Sequence, residues 1–402
     1  MDILSTIQAP IGDELVSLNQ ILSEKLHTTN PLINKIVDRY LLTKGKQIRP
    51  VLILLCARMI DRITPETILA AAAIELMHNA SLIHDDVIDT SMYRRGHPTI
   101  NALEDNRLAV LMGDHFVSCA LQCGVETGRI DIIAAMGRLG QELAHGEIDQ
   151  IDNARHHRLS EEAYFEVIRR KTASLFRVCM HVGAISVNAD DAVCKDLERF
   201  GELLGLCFQI KDDIFDYYED EQVGKPTGND IREGKITLPL LYAITRNSGE
   251  ENARMRMLLE KDVLDTEDID ALIGYAKDNG GIAYAQERMQ QLRDEAAEAL
   301  KNFADNESKC ALITTFTFGT VAFANAYVSL AVSLANTFSA HLQALKPVTF
   351  VNVNTGIPNA SQNSTKSAAF LHPDAESVPS NSSATLPSIN TFTILSSSHS
   401  IA

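Results

Sequence analysis

The chain of 402 residues has no tryptophan, only 6 % aromatic residues and fewer basic side chains (36) than acidic ones (53). A protein with a net charge of -17 is a poor general binder of nucleic acid or of anionic membrane. An anionic substrate would have to be held by local basic residues and metal against that global field. The acidity is confined to the first 310 residues, because Lys346, Lys366, Asp374 and Glu376 are the only later charges and they cancel. No CxxC pair occurs among the seven cysteines, which are odd in number and mostly set in apolar runs. That pattern fits buried free thiols in a reducing compartment better than disulfides or zinc sites. The N-terminal stretch lacks the basic start and continuous apolar run of a signal peptide, so a cytoplasmic location is expected. Period-two alternation bounded by turn residues is also scarce. With 45 % hydrophobic residues there is ample material for a core, and an all-α fold is expected.

What the chain does have is the pattern Asp-Asp-x-x-Asp, twice. It occurs at Asp85, Asp86 and Asp89, and again at Asp212, Asp213 and Asp216. Each copy ends an apolar stretch with helical periodicity. Residues four apart share a helix face, so Asp85 aligns with Asp89 and Asp212 with Asp216. Clustered carboxylates on an apolar helix repel one another unless a cation joins them. Hard oxygen ligands suit magnesium, which binds through a few carboxylates plus substrate phosphates. The loop glycine and terminal glutamate of an EF-hand are missing. For the first cluster's helix, Thr64 can cap, Pro65 suits the first turn and Glu66 complements the dipole. Leu69, Ala72, Ala73, Leu76, Ala80, Ile83 and Val87 form its apolar stripe, and His78, Ser81, Asp85 and Asp89 a neighbouring polar one. The second cluster's helix, roughly 196–218, aligns Gly205, Gln209, Asp212 and Asp216. The Gly/Pro/charge-rich stretch after it reads as a loop able to act as a lid.

Further residues complete the constellation. Lys46 and Arg49 lie in GKQIRP, Arg94 and Arg95 follow the first cluster, and Lys171 and Thr172 open KTASLF. Gln209 stands one turn before the second cluster, and Lys225 and Lys235 lie in the loop after it. Motifs of this number and order are highly specific. Over residues 10–310 the chain resembles the all-trans polyprenyl diphosphate synthases, the long-chain branch of the isoprenoid synthase family. The resemblance implies a single helical bundle around a deep central cavity, with both acidic clusters at its mouth. It implies Mg2+ held by Asp85, Asp89 and Asp212, with Asp86, Asp213 and Asp216 supporting from behind or through water. Arg94, Lys171 and Lys235 would hold the allylic diphosphate primer, with Lys225 assisting from the lid. Lys46, Arg49, His78 and Arg95 would hold isopentenyl diphosphate, and Thr172 and Gln209 would face the developing carbocation. A homodimer is implied, as are supply of a quinone side chain and peripheral membrane association for product release. The alternatives are a short-chain farnesyl or geranylgeranyl synthase and a non-catalytic subunit of a heteromeric enzyme.

Product length has its own handle. One helical turn back from Asp85 reaches Ser81 and Ala80, a depth of roughly 5–8 Å. Both are small, so a growing tail can pass, and Met77 one turn deeper is flexible enough to shape the tunnel. Glu147 and Gln150 are expected to be structural, with a possible tunnel role. Residues 311–340 form an uncharged apolar segment that is long enough to span a membrane, although its Thr and Asn content weakens that reading. Residues 341–402 are of low complexity and expected to be disordered.

Overall fold

A computed structural model describes residues 3–42, 45–156, 158–218, 227–261 and 263–320. Lys225 and the tail beyond residue 320 lie outside the described residues. In the N-terminal part, α1 (Ile3–Gln8), α2 (Gly12–Leu26) and α3 (Pro31–Leu42) precede the apolar α4 (Ile48–Ile60). The helix of the first acidic cluster, α5 (Pro65–Ile88), starts as its sequence dictates. The Thr64 hydroxyl accepts from the Thr67 N–H at 3.3 Å, and Thr67 returns the bond to the Thr64 N–H at 3.3 Å. Two backbone donors left open by helix geometry are thereby satisfied. Of the expected stripe, Ala72, Ala73, Leu76, Ala80 and Ile83 are buried and Leu69 and Val87 half-buried, while Ala70, Ala71, Ile74 and His78 outside it are buried too. The small residues let neighbours close in, while Leu76 and Ile83 each contribute roughly 1.5–3 kcal/mol by leaving water.

The hairpin strands β1 (Tyr93–Arg94) and β2 (His97–Pro98) lead to α6 (Ile100–Leu103) and α7 (Asn106–Glu126), which packs along α5. Next come α8 (Ile130–Arg155), α9 (Glu161–Ile168), a π-helical turn at Arg169–Ala173 and α10 (Ser174–Ser186). The second acidic helix is α11 (Asp191–Phe215), capped by Asp190, whose carboxylate accepts from the Val193 N–H at 2.8 Å. It starts and ends a few residues earlier than its periodicity suggests. Within the stretch expected to be loop, α12 (Asn229–Arg232) forms a single turn. Then follow α13 (Leu238–Arg246), α14 (Glu250–Leu259), α15 (Thr266–Asp278), α16 (Gly281–Ala299) and α17 (Glu307–Thr320).

The core is built chiefly from α4, α5, α10 and α11, with α16 against α11. The boundary expected at residue 310 falls inside α17, where Ala311, Leu312 and Thr315 are buried. The described free cysteines are buried apart from the half-buried Cys310.

Candidate active site

Both acidic clusters stand at the carbonyl ends of their helices, with Asp89 and Asp216 as the C-terminal caps of α5 and α11. A helix C-terminus carries about half a negative charge, so these carboxylates oppose both each other and the backbone. Burial pushes the Asp85 carboxyl up to about 6, and Glu147 and Asp89 add to this against the pull of Lys171 and Arg94. Asp213 is also pushed up, first by burial and then by Asp212 and Asp216. Two hydrogen bonds work against that shift, from the Tyr164 hydroxyl at 2.6 Å and from Gln209 Nε2 at 2.8 Å. Among the described residues no three carboxylate, imidazole or thiolate groups form a ready-made metal cage. Two groups of hard carboxylate oxygens without a closed cage suit a divalent cation that keeps waters and takes further oxygens from phosphate.

The basic residues divide between two directions. Tyr93 pairs with Pro98 and Arg94 with His97, which leaves Arg95 and Gly96 as a two-residue turn. Their φ angles of 53° and 75° are those of a type I′ turn, which glycine adopts freely and arginine rarely. The turn sends adjacent side chains apart. Arg94 Nε donates to Asp86 Oδ1 at 2.8 Å, whereas the Arg95 guanidinium lies against Gly45, where an added Cβ would be 2.6 Å from Nη2. Lys46 follows Gly45. With burial the larger cause, Lys46 helps depress the Lys211 ammonium to about 8. Arg49, in the first turn of α4, and His78, on α5, are both buried. Burial and the nearby Arg49, Arg95 and Arg94 keep His78 neutral.

Lys171 Nζ is 2.5 Å from Glu147 Oε2 and 3.2 Å from Gln150 Oε1. Thr172 Oγ1 donates to Gln209 Oε1 at 2.6 Å. A continuous chain therefore runs from Thr172 through Gln209 and Asp213 to Tyr164. Asp216 accepts the Asn229 and Asp230 N–H groups at 3.0 Å each, so it caps α12. Lys235 is 2.5 Å from Glu233. Burial works against the Lys235 charge, yet Glu233, Asp230 and Asp89 together hold its pKa above the usual value. Lys235 thus senses carboxylates belonging to both halves of the site. Of the residues expected to set chain length, Ala80 is buried, Ser81 Oγ bonds to the His78 carbonyl at 2.9 Å, and the Met77 methyl points toward Gly140 of α8.

A family model described as Polyprenyl synthetase matches residues 30–276. The chain belongs to that family. It is a trans-prenyltransferase with the all-α isoprenoid synthase fold that its motifs imply. The octaprenyl diphosphate synthase of Haemophilus influenzae is 34 % identical over 312 residues, covering 77 % of this chain and 94 % of the relative. A polyprenyl synthase from Caulobacter crescentus, solved with calcium and isoprenyl diphosphate, is 29 % identical with a TM-score of 0.74, covering 80 % of this chain and 98 % of that one. A geranylgeranyl pyrophosphate synthase from Bacteroides thetaiotaomicron is 36 % identical with a TM-score of 0.70, covering 80 % and 99 %.

Three side chains of the site are not announced by the sequence. Asp230 lies in the stretch read only as a lid; burial raises its pKa first, then Asp213 and Asp216, with Lys235 opposing. Tyr164 donates to Asp213 from α9, a contact that no local pattern announces. Glu75 is a lone acid in the apolar run AAAIELM, one turn before His78, and that isolation was the available signal. Glu147 and Gln150, expected to be structural, both hold Lys171.

Proposed function

We propose that this prenyltransferase extends an allylic diphosphate by successive additions of isopentenyl diphosphate to give a long all-trans polyprenyl diphosphate. The carrying observation is the pair of carboxylate clusters at helix C-termini, with Lys235 influenced by Asp89 of the first and by Asp230, whose N–H is held by Asp216 of the second. Asp85, Asp89 and Asp212 would hold Mg2+, with Asp86, Asp213 and Asp216 behind them. The metal would supply charge stabilisation for departing pyrophosphate. Arg94, Lys171 and Lys235, with Lys225, hold the allylic diphosphate; Lys171 exchanges Glu147 for phosphate oxygens as substrate enters. Lys46, Arg49, His78 and Arg95 hold isopentenyl diphosphate, and the Arg95–Gly96 turn keeps Arg95 on a different diphosphate from Arg94. Arginine suits such planar bidentate contacts. As the allylic carbon–oxygen bond breaks, the Thr172 and Gln209 oxygens face the carbocation. The double bond of isopentenyl diphosphate attacks it, and a proton passes to the departing pyrophosphate, so no side-chain base is needed.

Small Ala80 and Ser81 favour long products, with Met77 shaping the passage. The likeness to a geranylgeranyl pyrophosphate synthase favours the short-chain alternative. A homodimer is supported by the outer face of α7, where Leu111, Leu121 and Val125 are 61 %, 50 % and 64 % exposed, more apolar surface than a solvated helix needs. Cytoplasmic location, quinone supply and peripheral membrane association at product release complete the proposal.

The test is product sizing with purified protein, Mg2+, farnesyl diphosphate and labelled isopentenyl diphosphate. A ladder ending beyond geranylgeranyl, abolished by Asp85→Ala or by chelator, is the expected result. A ladder stopping at geranylgeranyl selects the short-chain reading, and no incorporation selects the non-catalytic subunit.

A further inference from the structure

Between α4 and α5 lies a buried charged cluster that binding alone does not explain. Arg49, Glu75 and His78 are only 8 %, 7 % and 5 % exposed. Each keeps a buried polar atom without a hydrogen-bond partner: Arg49 Nε, Glu75 Oε2 and His78 Nε2. The Arg49 guanidinium is stacked over the Phe176 ring at 5.3 Å. Leaving such atoms unpaired in a core is costly, and more so for charged groups. Glu75 stands three residues before His78 and therefore on the same face of α5. Arg49 and Arg95 pull its carboxyl down against the upward push of burial. Reciprocally, Glu75 sustains the Arg49 charge that burial and Arg95 oppose. The cluster therefore consists of two guanidinium groups, a neutral imidazole and one buried acid near them, whose pKa burial raises above the usual carboxylate range while Arg49 and Arg95 pull it back toward the charged form.

An acid behind a cradle for anions weakens that cradle. The reaction proposed above, on which this inference rests, gives the weakening a purpose. In each addition the allylic diphosphate loses pyrophosphate, and a carbon–carbon bond forms to isopentenyl diphosphate. The product keeps the diphosphate that arrived on isopentenyl diphosphate. That group must leave Arg49 and Arg95 before another addition can begin. Binding energy shared equally by substrate and transition state lowers KM without raising kcat, and the part the product retains slows its departure. We propose that Glu75 is a positioning residue whose buried charge opposes Arg49 and Arg95 and limits their hold on the second diphosphate, so that the elongated product can vacate it.

The experiment compares the full chain with Glu75→Gln, which keeps the shape and removes the charge. Steady-state kinetics with farnesyl diphosphate should show the KM for isopentenyl diphosphate falling about threefold to tenfold. The kcat should fall with it, while the KM for farnesyl diphosphate stays unchanged. Calorimetric titration with isopentenyl diphosphate alone should show tighter binding by the same factor. Glu75→Asp, which keeps the charge, should remain close to the parent. A KM or dissociation constant that is unchanged or raised in Glu75→Gln overturns the proposal, because that is what mere structural damage would produce. If the amide variant does not fold, Glu75→Met supplies the same comparison. A parent chain that makes no product would overturn the prenyl-transfer reading instead, and the calorimetric arm would still decide the role of Glu75.

Discussion

Asp85 carries a charge that its surroundings resist, and the cost is measurable without turnover. Its folded pKa of about 6 lies above the 3.8 of an ordinary aspartate. In the window between these two values the folded state binds a proton that the unfolded state has released. Stability must therefore fall as pH rises through that window, with the full cost present above the folded value. Asp85→Asn removes the charge and so removes the cost. Without divalent cation, the variant should melt a few degrees above the parent at pH 8, and the difference should vanish toward pH 4. Adding Mg2+ at pH 8 should raise the parent's melting temperature and leave the variant nearly unmoved. Thermal melts across pH with and without Mg2+ check this. A parent that melts higher than the variant at pH 8 without metal would show that its neighbours already neutralise Asp85.

At the scale of elements, the site depends on helices approaching more closely than side chains normally permit. A Cβ at Gly205 of α11 would lie 2.5 Å from Ala173 Cα, and one at Gly146 of α8 would lie 2.7 Å from the Lys171 backbone nitrogen. The π-helical turn carrying Lys171 and Thr172 is thus pressed from both sides by glycine faces. Wide turns of this kind are frequent at functional sites. Gly205→Ala should force α11 and the turn apart, costing about 1–3 kcal/mol of stability and lengthening the Thr172–Gln209 hydrogen bond. Denaturant unfolding together with the KM for the allylic substrate would register both effects; a variant matching the parent in each would mean the turn can yield. The same contacts explain what the sequence disclosed. The α5 cap at Thr64, its buried stripe and the paired aspartates follow from local spacing, and all could be read from residues close together in the chain. The π-helical turn, the capping of α12 by Asp216 and the convergence of Asp230 on Asp213 arise from packing between distant segments, which periodicity does not encode.

For the whole molecule, the informative element is the last described helix. On sequence alone, the loss of charge after residue 310 reads as the end of the catalytic body. Instead α17 runs to Thr320 and packs against α4, α1 and α11. The Asn306 side chain caps its first turn through the Lys309 N–H at 2.9 Å and also reaches the Met59 carbonyl at 3.2 Å. Met59 lies near the C-terminal end of α4, whose opposite end carries Arg49, so α17 braces the helix that presents a diphosphate ligand. Leu312 is completely buried, and its side chain alone is worth about 1.5–3 kcal/mol. A chain ended after Thr320 should therefore keep the melting temperature and turnover of the full protein. A chain ended at Cys310 strips away the buried half of α17 and frees α4. It should melt several degrees lower, and its KM for isopentenyl diphosphate should rise more than that for the allylic primer. Parallel melts and kinetics on the two truncations separate these outcomes. Equal behaviour of both would mean that α4 is held by α5 and α10 without help. Loss of activity in the chain ended after Thr320 would assign residues beyond 320 a part in the working enzyme.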